Sequence, residues 1–125
     1  MPMSASAAPK FEILETDDFA KWVRKGRLRS AVEGLKGELA VNPDAGDVIP
    51  GGGGLRKIRM SGLGRGKSGG FRVVYVLLLS RTVAVLVDGY SKADKQDLSA
   101  DELKGLVADL AELRAEMENP EPEGQ

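Results

Sequence analysis

Basic side chains interrupt the apolar pattern of a short predicted β-strand at residues 55–60. Side chains alternate between the two faces of a strand, so Lys57 and Arg59 share one face while Ile58 and Met60 share the other. The apolar pair is expected to face the core. Lys57 and Arg59 are therefore predicted to lie on the open side of a sheet, where cations can meet an anionic substrate.

Three further residues of suitable chemistry follow this segment. Arg72 lies in the apolar run 71–79, and Tyr90 and Lys92 come just after a strand predicted at 82–87. Leu55 falls on the cationic face, and alternation does not explain it. A solvent-exposed strand without a site would show the same pattern. If the three strands are adjacent, five side chains converge on one patch: Lys57, Arg59, Arg72, Tyr90 and Lys92.

A patch of this composition suits the cleavage of RNA. The 2′-hydroxyl of RNA can attack the adjacent phosphate once a base removes its proton, and cations can stabilise the negative charge that then develops. Crowding of cations lowers the pKa of a lysine, which would let one lysine serve as the base. Tyr90 would stack on a nucleobase or orient the phosphate.

The absence of histidine and cysteine narrows the chemistry. It excludes a zinc site of the usual kind, a histidine-dependent nucleophilic triad and an imidazole acid–base pair. We therefore expect no metal and no cofactor, and any catalysis has to use Lys, Arg, Tyr, Asp, Glu, Ser or Thr.

The net charge of −1 conceals an uneven distribution. Residues 48–87 contain seven basic residues and no carboxylate, whereas residues 88–125 contain four basic and eleven acidic residues. A cationic surface between acidic flanks favours a polyanionic partner such as nucleic acid. A solvated charged hairpin would give the same counts.

The segment from Ser61 to Ser68 nearly matches a phosphate-binding P-loop. Ser61 stands where the first glycine belongs, and the segment leads into a predicted strand instead of the helix whose N-terminus would bind phosphate. We therefore do not expect binding of a nucleoside triphosphate. The same Gly-rich turn, with Arg65 and Lys67, would still contact a nucleic-acid backbone.

Patterns along the chain predict the element order β-α-α-β-β-β-α. A first strand spans residues 11–14, Thr16 or Asp17 caps a helix, and a second helix precedes a loop at 42–54. The short connections between the next three strands imply antiparallel pairing. The predicted fold class is α+β: a twisted antiparallel sheet of about four strands with two N-terminal helices and a C-terminal helix.

The C-terminal helix carries clear signals. Ser99 and Glu102 form a capping box, and Leu98 and Leu103 occupy the positions of a hydrophobic staple. An apolar stripe follows, which is predicted to pack on the core or on a partner: Leu103, Leu106, Val107, Leu110, Leu113 and Met117.

Length and composition fit one small domain. We expect residues 11–117 to form it, with disordered segments at 1–10 and 118–125. No apolar run approaches the roughly 20 residues that cross a bilayer, and the N-terminus lacks the apolar stretch of a signal peptide. Since cysteine is absent as well, we expect a cytoplasmic protein without a membrane partner.

Three stretches resemble a known family. They read Gly-Gly-Leu-Arg-Lys-Ile-Arg at 53–59, Gly-Arg-Gly-Lys-Ser-Gly-Gly-Phe-Arg-Val-Val-Tyr at 64–75, and Gly-Tyr-Ser-Lys-Ala-Asp-Lys at 89–95. Together they are similar to the RelE/ParE toxin superfamily, and most of all to its HigB branch. The resemblance implies a toxin of a type II toxin–antitoxin system that cuts mRNA in the ribosomal A site without metal and so stops translation.

The resemblance also implies roles for individual residues. Lys57 and Arg59 match strand cations near the scissile phosphate, with Lys57 at the position usually taken as the base. Arg72 matches a phosphate-contacting arginine, and Lys92 with Tyr90 matches a basic and aromatic segment that closes the site. The other basic residues of this region would help to dock ribosomal RNA: Arg56, Arg65 and Lys67.

The sequence departs from the RelE pattern at one position. RelE carries a tyrosine beyond the closing segment that stacks on the substrate base, whereas this chain has Leu98 in the comparable region. Tyr90 would have to replace that tyrosine.

The resemblance implies a cognate antitoxin as partner, besides the 70S ribosome and mRNA, with operator DNA bound only through the antitoxin. Two alternatives share the fold: a ParE-like gyrase inhibitor without nuclease activity, and a non-catalytic module that only binds the antitoxin. The strand cations argue against gyrase inhibition, which does not require a phosphate-facing cationic cluster.

Overall fold

The structure, a computed structural model, describes residues 10–61 and 70–117. The predicted α+β class is confirmed. The elements in chain order are β1 (Glu12–Glu15), α1 (Asp17–Gly26), α2 (Arg29–Val41), β2 (Asp47–Val48), β3 (Arg56–Met60), β4 (Phe71–Leu78), a short 3-10 helix (Leu79–Arg81), β5 (Val83–Ser91) and α3 (Ala100–Met117). The termini predicted to be disordered lie, apart from Lys10, outside the described residues, so the domain boundaries stay a prediction.

The five strands form one sheet in the order β1-β5-β4-β3-β2. Strands β3 to β5 pair antiparallel as predicted, and β2 also pairs antiparallel with β3, but β1 pairs with β5 in parallel. Two helices separate β1 from the other strands, so local connections do not reveal its pairing. The two-residue strand β2 is also additional to the prediction, because it is too short to show alternation inside a Pro- and Gly-rich loop.

Helices cover both faces of the sheet. On one face, α1 and α2 enclose a core that contains Phe19, Val32 and Tyr75. On the other face, α3 encloses a second core that contains Leu55 and Leu110. Strands β4 and β5 are therefore buried on both sides, which explains their almost continuous apolar sequences. The second core also explains Leu55: the face that carries Lys57 is covered by α3 at one end.

Both well-marked helix starts form as the sequence predicts. The Thr16 hydroxyl accepts a hydrogen bond from the Phe19 N–H at 3.1 Å and caps α1. The Ser99 hydroxyl accepts from the Glu102 N–H at 3.0 Å, while the Glu102 carboxylate accepts from the Ser99 N–H at 2.8 Å. The apolar stripe of α3 packs in the second core, as predicted. Within the described residues, no helix is both long and apolar enough to cross a membrane.

A buried tyrosine fixes the loop before β3. The Tyr75 hydroxyl donates to the Pro43 carbonyl at 2.7 Å and accepts from the Gly46 N–H at 2.8 Å. Arg56 donates to the Gly46 carbonyl at 2.7 Å. These bonds satisfy the polar groups of a loop that lies against the sheet, and they hold the edge on which β3 presents its side chains.

Glu15 joins β1 to α2 through charge. Its carboxylate accepts from Arg29 and lies 2.9 Å from the Lys36 ammonium. The hydrogen bond from Arg29 is the main cause that lowers the pKa of Glu15 from 4.5 to about 2. A lowered pKa means that the ionised carboxylate stabilises the fold above the unfolded pKa, and this contribution is lost as the pH falls from 4.5 to about 2.

Substitution Glu15→Gln should lower the free energy of unfolding by roughly 1–2 kcal/mol at pH 7, allowing for the exposure of Arg29. The difference between variant and wild type should shrink as the pH falls from 4.5 and should be smallest below about pH 2, where Glu15 becomes protonated. Urea denaturation across this pH range measures it. Glu12→Gln, at an exposed position of the same strand, is the control. Equal losses of unfolding free energy in both variants at pH 7 would contradict the stabilising role assigned to the Glu15 carboxylate.

Candidate active site

Three of the predicted residues form a row across three strands. The register pairs Arg59 of β3 with Arg72 of β4, and Arg72 with Tyr90 of β5. Directly paired residues point to the same face, with Cβ atoms about 5 Å apart. Like charges in this position oppose folding, so the pairing of Arg59 with Arg72 favours a role in binding an anion. We call Arg59, Arg72 and Tyr90 the cross-strand row.

Tyr90 lies inside β5, not beyond its end as the sequence suggested. Asp88 and Gly89 resemble a strand terminus because neither residue type favours strands. The strand nevertheless continues through them to Ser91. This correction matters for the site, since Tyr90 gains a fixed register opposite Arg72 instead of a place in a loop.

Lys57 lies beside the row and shares a carboxylate with Tyr90. Its side chain, on the same face of β3 as Arg59, places Nζ 3.0 Å from Oδ1 of Asp97. The Tyr90 hydroxyl donates to the same oxygen at 3.3 Å, and the Leu98 N–H donates to it at 2.8 Å. One carboxylate oxygen thus joins the lysine to the tyrosine.

The pKa values of this cluster follow from its contacts. The hydrogen bond from Lys57 is the largest cause that holds the pKa of Asp97 below its usual value. Burial, followed by the charge of Asp97, raises the pKa of Tyr90 to about 12. The Tyr90 hydroxyl is therefore protonated at neutral pH, where it can donate a hydrogen bond but cannot act as a base.

Lys92 lies next to the row, just beyond the end of β5. Its N–H donates to the Gly70 carbonyl at 3.1 Å, which fastens it beside the start of β4. Its ammonium donates to the Gln96 carbonyl. The structure thus groups Lys57, Arg59, Arg72 and Tyr90 on one sheet face, with Lys92 at the border.

The ring of Tyr90 is enclosed in this structure. The residue is 4% exposed, and the Lys95 ammonium lies 5.2 Å from the ring centroid. A nucleobase could stack there only after Lys95 and its loop move. Of the two roles predicted for Tyr90, the geometry therefore favours orientation of a phosphate by the hydroxyl.

Comparison with known proteins agrees with this fold. A family model described as the RelE toxin of the RelE / RelB toxin–antitoxin system matches residues 11–121. The chain belongs to the RelE toxin family. A solved structure of a mutant of the E. coli toxin RelE in the free state is similar, with a TM-score of 0.56 and 15% identity over 81% of this chain and 97% of that chain. At this identity the likeness concerns the fold alone, and the predicted superfamily is confirmed.

The predicted docking residues of this RelE-family toxin divide into two groups. Arg56 is paired with Tyr75 in register and so lies on the face opposite Lys57, where it donates to loop carbonyls. These bonds give it a structural role, and its part in docking RNA stays a prediction. Arg65 and Lys67 lie outside the described residues, as does most of the P-loop-like segment. Strand β4, not a helix, follows that segment.

Three residues near the site of this RelE-family toxin escaped the sequence prediction. Asp97 directly precedes Leu98 and was given no role, because a single carboxylate in a loop carries no pattern that marks it. Asp88 lies two residues before Tyr90 on the same strand, and burial raises the pKa of its carboxyl. Lys95 is part of the family-like segment but was given no role. In the part of the chain that the structure describes, no cluster of three or more carboxylates is arranged to hold a metal ion.

Proposed function

We propose that this RelE-family toxin is a ribosome-dependent endoribonuclease that cleaves mRNA in the ribosomal A site and so inhibits translation. The observation that carries the proposal is the cross-strand row with Lys57 beside it. Three cations and one protonated hydroxyl share one end of a rigid sheet face, the chemistry that suits an RNA phosphate.

The reaction requires no group beyond side chains and RNA. The 2′-oxygen forms a bond to the adjacent phosphorus, the bond to the 5′-oxygen breaks, and the 5′-oxygen takes up a proton from a cationic side chain of the site. The products are a 2′,3′-cyclic phosphate and a 5′-hydroxyl. Lys57 is assigned as the base that takes the 2′-hydroxyl proton. The guanidinium groups of Arg59 and Arg72 stabilise the charge on the phosphate, and the Tyr90 hydroxyl orients it.

This assignment requires Asp97 to move. In the structure the Lys57 ammonium is paired with Asp97 at 3.0 Å, so it must leave that carboxylate and give up a proton before it can act as a base toward RNA. A substrate delivered by the ribosome provides the driving force, since a bound codon presents its phosphate at high effective concentration.

We further infer the partners that such a toxin needs. A cognate antitoxin would neutralise it, operator DNA would be reached only through that antitoxin, and the 70S ribosome with mRNA would be the target in the cytoplasm. Membership of the family, whose description names an antitoxin, supports the first of these partners. Assignment to the HigB branch stays a prediction.

Primer extension on a defined mRNA in a purified translation system tests the activity. Wild-type protein should cut within the A-site codon only when ribosomes are present, and EDTA-treated naked RNA should stay intact. Lys57→Ala should abolish most of the cutting, whereas Lys25→Ala, at an exposed position in α1, should cut like the wild type.

Intact mRNA together with arrested growth of expressing cells would contradict the nuclease proposal. Inhibition of gyrase supercoiling under those conditions would support the ParE-like alternative instead. Absence of both activities, with retained binding of the antitoxin, would leave the non-catalytic alternative.

A further inference from the structure

Asp97 places a negative charge where the proposed substrate needs positive partners. Its Oδ1 receives the Lys57 ammonium and the Tyr90 hydroxyl, which are two of the groups assigned to the RNA phosphate. A phosphate oxygen carries a similar charge and accepts the same kinds of hydrogen bond. Carboxylate and phosphate therefore compete for the same donors.

The backbone keeps Asp97 in this position. Its Oδ1 accepts from the N–H of the next residue, Leu98, at 2.8 Å. The preceding loop is fastened by the bond of Lys92 to the Gln96 carbonyl and by the ion pair of Lys95 with Glu102 of α3. The carboxylate thus reaches Lys57 across 40 residues of sequence because this loop folds back over the sheet.

The Lys57–Asp97 ion pair is short enough to compete with a phosphate and exposed enough for a phosphate to replace it. The Asp97 side chain is 61% exposed and that of Lys57 is 30% exposed, so the carboxylate can turn to water without leaving a buried charge. Exposed ion pairs of this kind contribute little to stability, which means that a well-placed phosphate can replace one.

We propose that Asp97 is a selectivity-determining residue that occupies the phosphate position and must be displaced before RNA binds. RNA that meets the site by diffusion is then bound weakly, while a phosphate held in place by another surface overcomes the competition. The inference rests on the proposed function in taking RNA as the ligand, but it concerns binding and not cleavage.

Binding of a non-cleavable oligonucleotide tests this inference. The probe is a fluorescein-labelled 2′-O-methyl RNA hexamer, whose affinity is measured by fluorescence anisotropy at low salt, where charge effects are least screened. Asp97→Asn keeps an oxygen that can accept from Leu98 but removes the charge. It should bind the probe about three- to tenfold more tightly than the wild type.

Two further variants make the result specific. Asp94→Asn removes the same charge three residues away, at a position for which residues 10–61 and 70–117 provide no ion-pair partner, and should change affinity less than about twofold. In a Lys57→Ala background, the gain from Asp97→Asn should fall toward the size of the Asp94→Asn effect, because the charged donor is gone and only the Tyr90 hydroxyl is left for Asp97 to occupy. Asp97→Ser serves as a second replacement if the asparagine protein does not fold.

The outcomes separate this inference from the proposed function. Equal affinities for Asp97→Asn and Asp94→Asn, or weaker binding by Asp97→Asn, would overturn the role of Asp97 while the cleavage assay stands on its own. If no variant binds the probe even at low salt, the inference fails, while the proposed function is still decided by the cleavage assay, in which the ribosome holds the mRNA. Tighter binding of Asp97→Asn without any cleavage activity would retain the inference and reject the nuclease.

Discussion

Substitution Arg72→Ala should lower the rate of ribosome-dependent mRNA cleavage about 100- to 1,000-fold, the usual cost of removing one donor aimed at developing charge. Arg72 is the central member of the cross-strand row, with Arg59 on one side and Tyr90 on the other. A phosphate bound to the row therefore contacts Arg72 whichever neighbour it also contacts. Its removal leaves no cation at the centre of the site.

The stability of the fold should change little in this variant. Arg72 is partly exposed, and its loss also removes the direct opposition of two like charges on adjacent strands. We expect the free energy of unfolding to stay within about 1 kcal/mol of the wild-type value. Loss of cleavage in a protein that melts normally would therefore report on the site and not on folding.

Single-turnover cleavage, quantified by primer extension, measures the effect. Arg72→Lys should fall between alanine and wild type, because lysine keeps the charge but loses the planar fork that binds two phosphate oxygens. Arg24→Ala, at an exposed position in the last turn of α1, is the matched control for loss of one arginine. A rate for Arg72→Ala within tenfold of wild type would place Arg72 outside the catalytic site.

Local pattern predicts which face of a strand a side chain occupies. Alternation correctly separated Lys57 and Arg59 from Ile58 and Met60, because the period of a strand is a property of its backbone. The caps at Thr16 and Ser99 were equally readable, since each depends on residues within one turn of helix.

Contacts between distant segments were not readable in the same way. The pairing of Arg72 with Tyr90 depends on the register of β4 with β5, which includes an irregularity between Val74 and Tyr75. The contact of Asp97 with Lys57 depends on the loop that follows β5 and folds back over the sheet. Neither feature leaves a periodic signal, so the sequence predicts the candidate cations but not the carboxylate among them.

Gly89 lies in β5 next to Tyr90 of the candidate active site, but it faces the opposite side of the sheet, which α1 covers. It pairs with Val73 in register and lies between Asp88 and Tyr90, whose side chains point to the opposite face. A Cβ atom at Gly89 would lie 2.3 Å from the nearest ring atom of Trp22. That ring is itself held between Phe19 and Phe71, with centroid distances of 5.6 and 6.0 Å.

Gly89→Ala should therefore lower the free energy of unfolding by about 3 kcal/mol, at the upper end of overpacking costs, because the indole must leave its contacts with Phe19 and Phe71 to make room for the new methyl group. Thermal and urea denaturation measure the loss. Gly105→Ala is the matched control, since a Cβ in this position of α3 meets nothing within 4 Å among the described residues. It should stabilise the protein by about 0.5–1 kcal/mol, as expected for glycine to alanine inside a helix.

A double-mutant cycle with Trp22→Ala identifies the cause. Removal of the indole destabilises the protein by itself, but it opens the space that the new methyl group needs. In that background Gly89→Ala should cost less than about 1 kcal/mol, which gives a coupling energy of about 2 kcal/mol between the two positions. Full additivity would mean that the glycine is required by the backbone of β5 and not by the close approach of Trp22. A cost of Gly89→Ala that is smaller without the indole would show that Trp22, on the opposite face, determines which residue can stand between Asp88 and Tyr90.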